Sequence, residues 1–112
     1  MKNNFGLRDS DISEIVKVLQ QYSEIEQAIL FGSRAKGNYK PGSDVDIALK
    51  GENISHQTVN KLRFQLNEET LMPYEFDILN YHTIKGRALV EHIDRVGIVF
   101  YEKAPNPTIP KS

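Results

Sequence analysis

Asp44 and Asp46 stand one residue apart in the run Asp44-Val45-Asp46-Ile47-Ala48-Leu49. In an extended strand, residues two apart share a face and their Cα atoms lie ~6.5 Å from each other. Two ionised carboxylates that close repel, and the apolar run adds desolvation; both effects disfavour the charged forms. A divalent cation between them reverses the sign of the interaction. The chain has no cysteine, and its three histidines, His56, His82 and His92, lack ligand spacing. Oxygen donors alone suit a hard ion, Mg²⁺ or Mn²⁺, and Mg²⁺ takes one or two carboxylates together with substrate phosphates. A third acid, Asp77, lies in the later apolar segment Glu75-Phe76-Asp77-Ile78-Leu79. Three carboxylates permit two ions ~3.5–4 Å apart, the arrangement for in-line attack on phosphorus.

Gly32-Ser33 follows directly on the apolar run Ala28-Ile29-Leu30-Phe31. Glycine there lets the backbone turn tightly and approach a ligand. Free amides at the start of a helical turn, with the Ser33 hydroxyl, suit a phosphate. Arg34, Lys36 and Lys40 follow with no acid among them. They could screen the rest of a triphosphate, Arg34 and Lys36 more readily than Lys40. The combined pattern describes a nucleoside triphosphate held through metal.

Spacing then indicates what must position these groups. Ile12, Ile15, Val16, Leu19 and Tyr22 repeat at helical intervals and predict a helix over 9–22, capped by Asp9, Ser10 or Asp11, with Glu14 pairing back to Asp11. Residues 28–31 predict a buried strand. Residues 32–43 contain three glycines and one proline and predict a loop with room for one helical turn. A strand over 44–50 follows, then a helix over 55–69 capped by Ser55, and a strand over 74–79 taken as central. A helix over 83–94 and a strand over 97–101 complete the order. This alternation predicts an α/β fold, a small mixed β-sheet flanked by helices. Leu62, Leu66, Leu89 and Ile93 are expected in the core. His56, His82 and His92 are expected in surface or capping roles.

The chain has 112 residues, enough for one domain. The expected domain is 1–103, with 104–112, which holds three prolines, as a flexible tail. A net charge of -1 gives no general attraction to nucleic acid or anionic lipid. The expectation is no direct nucleic-acid or membrane partner. Absence of cysteine excludes disulfide scaffolds, thiolate zinc sites and thiol nucleophiles. No apolar run approaches the ~20 residues of a membrane span, and a cytoplasmic protein is the simplest expectation.

The pattern Gly-Ser, ten residues, then Asp-Val-Asp-Ile resembles the nucleotidyltransferase superfamily that includes DNA polymerase beta and the aminoglycoside nucleotidyltransferases. The fuller form FGSRAKG…SDVDIAL, in so short a chain, is similar to the minimal nucleotidyltransferases of prokaryotes. The resemblance spans roughly residues 7–101. It implies a polymerase beta-like core in which Gly32 and Ser33 hold the triphosphate and Asp44 and Asp46 hold the metals. Asp77 is implied as the third acid, serving the acceptor-side ion and the acceptor proton. It also implies AMP transfer from ATP to a hydroxyl, with release of pyrophosphate. Members of this family commonly pair with a small helical HEPN-domain toxin, the nucleotidyltransferase being the antitoxin. In some pairs AMP goes to a tyrosine of the toxin. Two alternatives stand beside that reading: transfer to a small hydroxylated molecule such as an aminoglycoside, and a catalytically weak antitoxin that acts by binding alone.

Overall fold

The structure, a computed structural model, describes residues 5–103. The expected tail lies outside them. The elements are α1 (Asp9–Leu19), β1 (Gln27–Phe31), α2 (Gly32–Lys36), β2 (Val45–Lys50), α3 (His56–Glu68), β3 (Phe76–Asn80), a 3₁₀ turn (Tyr81–Thr83), α4 (Arg87–Val96) and β4 (Ile98–Glu102). The strands form one sheet in the order β3-β2-β1-β4. β1 pairs antiparallel with both β2 and β4, whereas β2 and β3 run parallel. The sheet is mixed, as its alternating elements predict.

Both faces are covered, and this explains the unbroken apolar run of β1. Ala28 and Leu30 join the main core with Val45, Ile47, Leu49, Phe76 and Ile78, beneath Ile15 and Leu19 of α1 and Leu62 and Leu66 of α3. Ile29 and Phe31 point the other way. They meet Ala48 and Ile93 in a smaller cluster, with Leu89 at its margin. The four expected core residues are therefore split between two layers.

Several boundaries differ from the sequence expectation, each for a local reason. α1 ends at Leu19 because Gln21 and Tyr22 bond back to Val18 and Leu19 in tighter i−3 turns. Its N-cap is Arg8, not an Asp or Ser. The Asp11 carboxylate accepts the Arg8 backbone N–H at 3.0 Å and its guanidinium at 3.0 and 3.2 Å. Ser55 caps α3 as expected, accepting the Thr58 amide at 3.2 Å. The helix expected over 83–94 is divided. Asn80 Oδ1 accepts the His82 amide and sets the 3₁₀ turn, and α4 begins only after Gly86.

β3 is an edge strand, not a central one. α3 covers its free edge. Asn67 donates to the Phe76 carbonyl at 3.0 Å and accepts the Phe76 amide at 2.7 Å, as a neighbouring strand would. Arg63 donates to the Ile78 carbonyl at 2.9 Å. These two side chains, one helical turn apart, satisfy an edge that would otherwise invite pairing with another chain. They also fix the backbone on either side of Asp77.

Candidate active site

Phe31, Asp46 and Asp77 lie on one line across three strands. Phe31 is the cross-strand partner of Asp46, and Asp46 is the register partner of Asp77. The end of β1 and the starts of β2 and β3 thus meet at one edge of the sheet. Adjacent strands lie ~4.8 Å apart, so Asp46 and Asp77 are near neighbours on the face that carries α4. The Val45 amide donates to the Glu75 carbonyl at 2.9 Å and starts the β2–β3 ladder at this register.

Immediately after Phe31 the chain turns at Gly32, with φ +75°. A Cβ there would lie 2.2 Å from Asp46 Oδ2. Glycine is required twice, by backbone conformation and by the carboxylate that leans over it. α2 follows as a single short turn of helix, the one that the loop had room for. It ends at Gly37, also left-handed, whose amide bonds the Ser33 carbonyl at 2.9 Å.

Electrostatics mark the same place. The Asp46 carboxyl is pushed up to about 6, first by burial, then by the charges of Asp77 and Asp44, with Arg34 pulling the other way. Asp46 is half-buried, and Asp44 and Asp77 are exposed. Three carboxylates therefore share one field that is short of positive charge. Among the described residues no three acids or histidines converge tightly enough to make a protein-only metal site. The donors here are oxygens alone, and the Asp46 carboxyl is raised first by burial and then by the charges of Asp77 and Asp44, which is the chemistry of a site that could take a hard cation with part of its shell supplied by other ligands.

The cationic residues divide. Lys36 and Lys40 are exposed on or after α2. Arg34, expected at the phosphates, is only 1% exposed. Its guanidinium donates to the Phe5 carbonyl at 2.8 Å and the Ser43 carbonyl at 2.9 Å. It also lies against the rings of Tyr39 and Tyr74, 5.3 and 5.1 Å from their centroids. Tyr74 in turn donates its hydroxyl to Asp11 at 2.7 Å. Burial alone would raise the Asp11 carboxyl, but the Arg8 and Tyr74 hydrogen bonds hold it below the usual carboxylate range. Arg34 is thus corrected from a ligand-facing cation to a clamp. It ties the chain before α1 to the residue that precedes Asp44.

The sequence places His92 in a surface or capping role, and the structure shows the second kind, toward a helix other than its own. It is half-buried on α4, and its Nε2 accepts the Gly32 amide at 3.1 Å. Its ring meets Phe31 edge-on, with centroids 6.1 Å apart. The amide of Gly32 is therefore not free, as the sequence suggested, but spoken for by α4. The available signal was its position in the α4 pattern, between Leu89 and Ile93 at the margin of the apolar stripe.

Residues 13–106 match the family model described as polymerase beta, nucleotidyltransferase. The chain belongs to this family. It is a nucleotidyltransferase. A curated relative from Methanocaldococcus jannaschii, named "Putative protein adenylyltransferase MJ0435", is 33% identical over 86 residues, covering 72% of this nucleotidyltransferase and 89% of the relative. Among solved structures, a toxin–antitoxin pair with AMP-PNP matches with a TM-score of 0.67 at 17% identity, over 87% of this chain and 75% of that one. The complex of a tri-AMPylated Shewanella oneidensis HEPN toxin with its MNT antitoxin matches with a TM-score of 0.66 at 16% identity, over 87% and 74%. A nucleotidyltransferase fold from Sulfolobus solfataricus matches with a TM-score of 0.52 at 23% identity, over 92% and 91%. These likenesses establish the fold of the nucleotidyltransferase. Among its described residues no helix is long and apolar enough to cross a membrane.

Proposed function

We propose that this nucleotidyltransferase transfers AMP from ATP to a hydroxyl, a tyrosine of a HEPN-domain toxin, and so acts as the antitoxin of a toxin–antitoxin module in the cytoplasm. The observation that carries the reading is the junction of Gly32, Asp46 and Asp77. There a glycine turn, a raised carboxyl and its register partner meet at one sheet edge. The adenylyltransferase relative supports ATP as donor, and the fold shared with MNT antitoxins supports a HEPN partner.

In this reading Asp44, Asp46 and Asp77 hold Mg²⁺, two ions in the full complex, with Mn²⁺ as the alternative. When bound, the metal neutralises the triphosphate and the attacking oxygen. The turn at Gly32 and Ser33 seats the phosphates, and Lys36 screens their outer charge. Asp77, exposed at the start of β3, takes the acceptor proton. The tyrosine oxygen forms a bond to the α-phosphorus, the bond from that phosphorus to the bridging oxygen breaks, and pyrophosphate leaves with the electron pair. Asp46, half-buried beneath the turn, would meet the cation with less screening by bulk water than an exposed acid does.

The intact mass of a HEPN protein co-expressed with and without this chain is the direct test. Added AMP mass that disappears with Asp44→Asn supports the reading. Labelled ATP separates the alternatives. Label on a small molecule such as an aminoglycoside moves the acceptor there. No label with tight association leaves an antitoxin that acts by binding alone. Ser33→Ala should weaken transfer while the complex persists, because the hydroxyl faces phosphate rather than partner.

A further inference from the structure

The turn that starts α2 is held from outside the motif. Gly32 has its φ at +75° and no Cβ, so its own conformational preference fixes little. Two contacts compensate, both from His92. Nε2 accepts the Gly32 amide at 3.1 Å, and the ring edge meets Phe31, the residue before the turn. Ile93, the next residue of α4, is buried with Phe31 and Ile29, which anchors the helix that presents His92. On the other side of the same glycine stands Asp46 Oδ2, against the space a Cβ would fill. Gly32 is therefore gripped between an imidazole and a carboxylate from two different elements.

We infer that His92 is a positioning residue for nucleotide binding: by accepting the Gly32 amide it sets the turn that presents Ser33 and α2 to the phosphates. It acts through Gly32 and touches no reacting atom. The inference rests on the reading of Gly32-Ser33 as the triphosphate turn. It assigns to α4 a role in the site that neither the Gly-Ser nor the Asp-Val-Asp motif contains. Because Nε2 accepts, the ring proton sits on Nδ1, and this tautomer is part of the claim. A side chain that offers an acceptor at the place of Nε2 should do the same work. Glutamine does, since its terminal amide overlays the Nε2 end of the imidazole; leucine has the bulk without the acceptor.

The experiment compares wild type with His92→Leu and His92→Gln in the full chain, each confirmed folded by its thermal transition. Three quantities are measured: hydrogen exchange of the Gly32 amide, the ¹⁵N tautomer signature of His92 in the wild type, and KM for ATP against kcat in AMP transfer. Loss of one neutral hydrogen bond corresponds to an effect of ~10-fold. His92→Leu is expected to speed Gly32 exchange and raise KM for ATP by about that factor, with kcat much less affected. His92→Gln is expected to restore both, and the wild-type ring to show the Nδ1–H form. The inference is overturned if Gly32 exchange is unchanged in His92→Leu, if the glutamine variant behaves like the leucine variant, or if His92→Leu binds ATP more tightly. The last outcome would make His92 a competitor for the amide. Should the wild type neither bind ATP nor transfer AMP, the transfer reading fails, and Gly32 exchange still decides whether His92 holds the turn.

Discussion

Gly32 and Asp46 share a space with no room for one more carbon: a Cβ on the glycine would reach to 2.2 Å from Oδ2 of the aspartate. Gly32→Ala must move the carboxylate or open the turn, and its φ of +75° is strained for alanine in either case. The expected cost is about 1–3 kcal/mol of stability, together with loss of transfer activity. Asp46→Ala in the same chain should recover part of the stability and none of the activity. Thermal melting of the single and double variants, alongside a transfer assay, checks both halves. Full activity in Gly32→Ala would show that the turn and the carboxylate are not coupled.

Asp46 supplies a pH signature. Its folded value of about 6 lies above the ordinary 3.8. In metal-free protein the native state thus holds the proton more tightly than the unfolded chain. The stability this gives is fully present below 3.8 and is lost as pH rises through about 6. Asp46→Asn lacks that loss. It should melt higher than wild type at pH 7 by a few degrees, and the gap should close as pH falls toward 4. A gap that is constant with pH would remove the shared-field account of the three acids. Transfer activity is expected to vanish in Asp46→Asn at every pH.

Metal and nucleotide should stabilise together. A ligand that binds only the folded state at a hundredfold excess over its Kd contributes ~2.7 kcal/mol. ATP with Mg²⁺ is expected to raise Tm clearly, and ATP with a chelator much less. Equal shifts in the two conditions would argue against a metal-held triphosphate.

Asp77 is separable from its register partner. Asp77→Asn should leave ATP·Mg²⁺ binding nearly intact while cutting the transfer rate by ~10²-fold or more, the scale of a lost general base. Asp44→Asn should damage binding and rate alike. Near-normal transfer by Asp77→Asn would make Asp77 a bystander. Glu75 is a weaker substitute than its position in the sequence suggests, since it lines a groove with Asn60, Arg63 and Asn67 of α3.

Arg34 should behave as structure. Its guanidinium makes two bonds to backbone carbonyls and lies against two rings, a geometry that the ammonium of lysine cannot reproduce. Arg34→Lys is expected to cost about 2 kcal/mol, read as a drop in Tm. ATP binding per folded molecule should change little. A large loss of ATP affinity with unchanged Tm would return Arg34 to the phosphates.

Local chemistry in the sequence was enough to propose the centre of the candidate site. Asp44 just before a strand and Asp46 within it, Gly32 directly after a buried run, and Ser55 before a helical stripe each act within a few residues, so the linear order already contains their cause. The alternation of helices and strands likewise implied a mixed sheet. What only the tertiary structure decided involves partners distant in sequence. Asp77 meets Asp46 through the parallel register of β2 and β3, and α3 makes an edge strand dependable by filling its free bonds with Asn67 and Arg63. Arg34 carries a phosphate-seeking charge in the sequence, yet the Phe5 and Ser43 carbonyls take a hydrogen bond from each of its terminal nitrogens and Tyr39 and Tyr74 lie against its guanidinium. His92 lies 60 residues from Gly32 in the chain. Periodicity could place it at the edge of a buried stripe, but which backbone group it would meet there depends on how α4 packs over β1 and α2, and no short-range pattern encodes that.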